Sequence, residues 1–404
     1  MARPDGLSQP DAPWHPALRV ALDARLLAYQ QAGIGTYVRG LLDGFGALSA
    51  RLRLTVVLSR KQPDGLRLPS WPRFVRAWTP PHHRYERLTF GLEVARLGVD
   101  VLHSPDFIPP RRPFGPKHSV ITVHDLAFLR YPDLLTPASH RYYGQIYHAV
   151  GEADVIVAVS ACTRRDLIAE IGADPAKIVV IPEAARPDLR PVPDDASRRA
   201  ALERLGLDRP YFVFVGTIEP RKNLTMLLES YALLRGRLGP TTPLLAIAGR
   251  RGWLSNDVFR TAERLRLGTD VRFLGPIADV DLPALLSGAL ALVFPSLYEG
   301  FGLPPLEAMT CGTPVVVANA GALPEVVGDA GLLVPPRDVA AWADRLAQVA
   351  EDATLRDHLR TKGLARAAHF TWRRAAWLTL HAYQRAAGLP IEEQDDGEPP
   401  AADA

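Results

Sequence analysis

The chain has 404 residues, 47% of them hydrophobic and 23% charged, the composition of a soluble globular protein with room for two ordinary domains and sizeable cores. A net charge of +3 excludes a general nucleic-acid binder. Two cysteines, Cys162 and Cys311, give neither a metal-ligand spacing nor a disulfide framework, and no run reaches the roughly 18 apolar residues of a membrane span.

Residues 1–16 lack the apolar core of a secretory signal, so a disordered N-terminus and a reducing, cytoplasmic setting are expected. Buried-strand runs then follow at 18–22, 54–58, 101–103, 120–123, 155–159 and 178–181. A Pro-rich stretch at 182–197 marks a linker, taken as 183–208. Six more runs follow, at 211–215, 244–248, 271–274, 291–294, 315–318 and 332–334. Helical patterns such as 224–237 and 339–350 lie between them. Apolar runs without alternation suit parallel strands covered on both faces, and their alternation with helices predicts α/β doubly wound sheets. The expected domains are 17–182 and 209–370, each Rossmann-like with six strands, facing one cleft. Ligands of such sheets bind beyond the carboxyl ends of the strands. Residues 389–404 are acidic and Pro-rich and read as a disordered tail.

Three motifs lie at such strand ends. "GIG" at 33–35 follows the first strand and opens a helix at 36–45, which suits an anion at a helix N-terminus. "GTIEPRKNL" at 216–224 puts Arg221 and Lys222 after a strand that ends at Gly216, and two cations there suit a diphosphate. "YEGFGLPPLEAM" at 298–309 places Glu299 and Glu307 on either side of a glycine turn and a proline-opened helix. Carboxylates would repel the anion that this helix favours, so the two acids are expected to grip neutral sugar hydroxyls. "DVD" at 279–281 could hold Mg²⁺ or Mn²⁺, but Asp281 reads as a helix N-cap and the cation pair makes a metal redundant.

On these motifs the chain resembles the retaining glycosyltransferases of family 4, which have the GT-B fold. Glu299 and Glu307 match the family's E-x7-E motif, and "GTIEPRKN" is similar to its donor-phosphate Arg-Lys segment. "AGIGTY" (32–37), "TVHDL" (122–126) and "AVSACTRRDL" (158–167) resemble its N-terminal motifs. "TVHDLAFLRYP" is most like bacterial mannosyltransferases of surface polysaccharide assembly. "IPEAARP" departs from the family's Pro-Asn-Gly stretch, so Glu183 receives no role.

The resemblance implies metal-independent, cofactor-free transfer of a sugar from GDP-mannose or a UDP-sugar to a glycan or lipid-linked acceptor, with no nucleic acid involved. It implies that Arg221 and Lys222 neutralise the departing diphosphate, Glu307 binds ribose and Glu299 the transferred sugar. Gly33, Gly35, Gly216, Phe301, Gly302 and Leu303 would line phosphate and sugar, with Gly249 and Ile277 beside the base. His124 would sit near the transferred sugar, with His103 a further candidate. A C-terminal helix at 371–388 is expected to cross back to the first domain. An epimerase or a non-catalytic sugar-nucleotide binder of the same fold stays open. The basic, apolar-striped stretch 71–98 adds an expectation of peripheral contact with the inner face of the plasma membrane.

Overall fold

The computed structural model describes residues 18–29, 32–48, 52–62, 68–111, 115–134 and 137–391. The expected disordered N-terminus and residues 392–404 of the expected tail lie outside them.

Two parallel sheets form the molecule. The first contains β1 (Leu18–Asp23), β2 (Leu52–Ser59), β3 (Arg73–Ala77), β4 (Val101–Ser104), β5 (His118–Val123), β6 (Val155–Ala158) and β7 (Ile178–Val180), in the order β3-β2-β1-β4-β5-β6-β7. The second contains β8 (Tyr211–Val215), β9 (Leu244–Ala248), β10 (Val271–Gly275), β11 (Ala291–Phe294), β12 (Val315–Ala318) and β13 (Leu332–Val334), in the order β10-β9-β8-β11-β12-β13. β4, β6, β9, β11 and β12 are buried along their whole length, so their apolar runs lack alternation. Among the described residues the first sheet has seven strands, not the expected six. The extra one, β3, is an edge strand whose Arg73, Phe74 and Arg76 are exposed.

Each sheet reverses its winding once, between β1 and β4 and between β8 and β11. A reversal opens a crevice at the strands' carboxyl ends, where nothing crosses over. The segment 183–208 is not all irregular: it contains the helix Asp195–Arg204, whose first amides bond to Asp194. The helix Trp372–Ala386 returns to the first half and packs on the helix Ala32–Ala47, with Trp372, Ala376 and Tyr383 in the core shared with β1 and β2.

Candidate active site

The crevices of the two sheets meet in one cleft of about 800 Å³. Gly33, His124, Gly216, Arg221, Lys222, Glu299, Phe301, Gly302, Leu303 and Glu307 line it. Gly35, Gly249 and Ile277 do not. Gly35 is buried in the helix Ala32–Ala47 near Leu27. Gly249 lies against the Gly216 carbonyl, and Ile277 packs on the core of the second sheet. Trp253, 41% exposed, and Leu282 line the cleft instead.

Backbone geometry explains the central turn. Gly302 holds φ +115°, a conformation open to glycine, and begins the helix Leu303–Thr310 with prolines in its first turn. Gly300 lies so close to the His124 carbonyl that a Cβ there would stand 1.7 Å from it. The turn of the second half thus touches the β5 end of the first.

Glu299 does not face neutral groups alone, as expected, but binds both cations. Arg221 Nη1 donates to its Oε2 at 3.0 Å and Lys222 Nζ to its Oε1 at 2.6 Å. Ser296 Oγ donates to the same Oε1 at 2.5 Å. Burial opposes ionisation, yet Arg221 and Lys222 overcome it and hold the Glu299 carboxyl down at about 2. The same burial lowers the Lys222 pKa, with Glu299 opposing. Arg221 also donates to Glu219 and to the Tyr298 carbonyl. Both cations therefore serve the fold as well as any ligand, since buried charges require counter-charges.

Glu307 is also met by a cation, the linker residue Arg186, whose Nε lies 3.4 Å from Oε1. Here burial wins, and the Glu307 carboxyl is pushed up to about 7 despite Arg186. Arg186 also donates to Asp279 at 2.6 Å, while its buried Nη2 has no hydrogen-bond partner among the described residues.

His124 has both ring nitrogens engaged. Nδ1 lies 2.8 Å from Glu183 Oε1, and Nε2 lies 2.9 Å from the Pro105 carbonyl. Burial opposes the charged ring, but Glu183 outweighs it and raises the pKa. Two acceptors on two nitrogens favour the imidazolium, so His124 offers fixed charge and has no spare N–H for proton transfer. Glu183, set aside in the sequence reading, is thus a buried cleft residue that orients His124. Its signal was an acid straight after a strand run, a position where the family pattern had Pro-Asn-Gly instead.

Two other expectations are corrected. His103 is fully buried, 2.8 Å from the Tyr383 hydroxyl and 2.7 Å from Thr122 Oγ1, and does not line the cleft. Burial drives its pKa down to about 3, so it is a neutral core residue. Asp281 makes no side-chain cap and pairs with Arg204 at 2.6 Å, which draws it off the helix end. Among the described residues, no three His, Cys, Asp or Glu are placed to hold a metal ion.

Residues 198–366 match the family model described as glycosyl transferases group 1, and residues 32–189 match glycosyltransferase family 4. The O-antigen chain mannosyltransferase B of Escherichia coli is 36% identical over 286 residues, covering 70% of this chain and 74% of that protein. A D-inositol 3-phosphate glycosyltransferase of Salinispora arenicola is 37% identical over 250 residues, covering 59% of this chain and 56% of that protein. Sucrose-phosphate synthase from Thermosynechococcus elongatus shares the fold with a TM-score of 0.74 at 23% identity, covering 91% of this chain and 98% of that one.

Proposed function

This chain belongs to the family 4 glycosyltransferases, and from that membership we propose that it transfers mannose from GDP-mannose, with retained anomeric configuration, to a glycan or lipid-linked acceptor. The observation that carries the reading is the placing of Arg221 and Lys222 in the cleft at the β8 end, the same cleft that the N-terminus of the helix Leu303–Thr310 lines. Two cations and a helix N-terminus form a preorganised environment for charge that grows on a departing diphosphate. Glu299 keeps the cations aligned and accepts hydroxyls of the transferred sugar. Glu307 accepts ribose hydroxyls, and Trp253 offers a face to the base. His124, held by Glu183, places positive charge near the transferred sugar. The choice of mannose rests on the mannosyltransferase relative.

The test is transfer by the purified protein from a panel of GDP- and UDP-sugars, with EDTA present and the product anomer read by NMR. GDP-mannose is expected to be the best donor, with retention, and EDTA to have no effect. A UDP-hexose preference overturns the mannose assignment. Donor isomerisation without acceptor indicates an epimerase, and nucleotide binding without turnover a scaffold.

We also propose contact with an anionic membrane surface. Tyr85, Leu88, Leu92 and Ala95 all face outward from the helix Glu86–Ala95 and its cap, beside Trp78 at 75% exposure. Arg73, Arg76, Arg84 and Arg96 are exposed around them. Arg87 and Phe90, which lie within the stretch 71–98, are buried and take no part in that surface, Arg87 against Glu152 and the Pro109 carbonyl. Among the described residues no helix is long and apolar enough to cross a membrane.

A further inference from the structure

The stretch "IPEAARP", where this chain departs from the family pattern, carries a second charged residue besides Glu183. Arg186 lies where the chain crosses from one half to the other: Ala184 is buried in the core of the first sheet and Leu189 in that of the second. The backbone is held on both sides of it. The Trp372 indole donates to the Ala185 carbonyl at 2.9 Å, and the Leu189 amide donates to the Arg186 carbonyl at 3.1 Å. Pro187 stiffens the next position. The Arg186 side chain, 19% exposed, thus reaches the cleft from a fixed crossing point that belongs to neither sheet.

Its guanidinium is engaged with neighbours. Nε lies 3.4 Å from Glu307 Oε1, and Nη1 donates to Asp279 Oδ1 at 2.6 Å. Nη2 is closed to solvent, with no hydrogen-bond partner among the described residues. The nitrogen left without a bond is therefore out of a ligand's reach, and its desolvation without compensation makes this arginine a poor device for stability alone. What Arg186 supplies is a positive charge beside Glu307. Asp188 and Asp279 also act on Glu307 and oppose its ionisation, but they are 59% and 80% exposed, so water screens them. The Cys311 thiol, just past the helix that carries Glu307, is pushed up to about 12 by burial and stays neutral.

Building on the reading of Glu307 as the ribose-binding acid, we propose that Arg186 is a positioning residue for the donor: it keeps the Glu307 carboxylate charged and aligned for the ribose hydroxyls. A carboxylate accepts from two hydroxyls at once, whereas the protonated acid gives up one acceptor site to its own proton. Burial drives Glu307 toward the acid, and its carboxyl stands at about 7 with Arg186 in place. An opposite charge this close favours the carboxylate by about one pH unit or more, so without Arg186 the ionisation of Glu307 moves above the neutral range. Donor binding at neutral pH is in this way set by the linker.

The test is calorimetric titration of GDP-mannose and of a UDP-hexose into the full-length protein without acceptor, from about pH 6 to about pH 9. The diphosphate of a nucleotide sugar has no proton to lose in that range, and His124 is common to every variant. In the wild type, affinity should rise through about pH 7 as Glu307 ionises. Arg186→Gln, with Arg186→Met as a second neutral variant, should move that rise up by about one pH unit or more and weaken binding about fivefold at neutral pH, with much less loss at the alkaline end. Arg186→Lys, which keeps the charge, should stay near the wild-type curve. In a Glu307→Gln background Arg186→Gln should cost nothing further, because the two residues act as one unit. A merely structural Arg186 would weaken binding equally at every pH. That result, a curve unmoved in both neutral variants, or a full further loss in the Glu307→Gln background overturns the inference. If the wild type binds a nucleotide sugar with no pH dependence, the Glu307 step and the inference fail while the diphosphate reading stands. If it binds none, the proposed function fails with them.

Discussion

Glu299 and Glu307 flank one turn, yet the protein drives their protonation in opposite directions. Arg221 and Lys222 pin Glu299 at about 2, whereas burial lifts Glu307 to about 7 from an ordinary 4.5. Environments that separate two acids in this way assign them different tasks. Glu299 stays charged at every working pH. Glu307 becomes a carboxylate only as pH rises past about 7. A carboxylate accepts ribose hydroxyls better than an acid, so donor KM should fall as pH rises from about 6 to 8. Glu307→Gln should weaken donor binding and remove that slope. A donor KM that is flat with pH in the wild-type protein, or that still falls in Glu307→Gln, contradicts the assignment. Both acids and both cations were legible because each pair lies in one short motif. Glu183 was not, because His124 is 59 residues away and only the fold joins them. The ion pairs were not legible, because Glu299 lies 78 residues from Arg221 and 77 from Lys222 and only the fold joins them.

Helices and strands carry the next level. Strands buried on both faces were legible as apolar runs, whereas β3 was not, since Arg73 and Arg76 interrupt it at the sheet edge. The aromatic cluster was hidden for a similar reason: Phe107, Phe128 and Tyr143 come from separate segments around β4 and β5. The contact between the helices Ala32–Ala47 and Trp372–Ala386 depends on Gly40, where a Cβ would lie 2.0 Å from the Trp372 ring. Gly40→Val should therefore cost roughly 1–3 kcal/mol by overpacking, read as a lower urea midpoint. No change in midpoint would mean that this contact is looser than described. The outward stripe of the helix Glu86–Ala95 is tested by flotation. Binding to anionic liposomes should fade with salt and drop in Arg84→Glu with Arg96→Glu, while neutral liposomes bind weakly. Binding that ignores lipid charge, or no binding at all, rules the surface out.

Across the whole molecule, the cleft is held by contacts between its two halves. Ser160 Oγ donates to the Gly300 carbonyl at 2.6 Å, and the Tyr298 hydroxyl donates to Asp166 at 2.6 Å. Glu325 accepts from the Ala161 and Cys162 amides, the N-terminus of the helix Ala161–Ile171. Two doubly wound sheets were legible from strand spacing alone, but these bridges were not, because each joins residues more than a hundred positions apart. They bring the cation pair of one sheet into the same cleft as His124 and Glu183 of the other half. The central claim is that Arg221 and Lys222 recognise a nucleoside diphosphate. Calorimetric titration of GDP and GMP into the wild-type protein and Lys222→Ala tests it directly. GDP should bind the wild type about tenfold or more tighter than GMP, and Lys222→Ala should erase most of that difference, since a charge-assisted contact is lost. Equal affinity of GDP and GMP for the wild type, or a GDP advantage that survives Lys222→Ala intact, would contradict it.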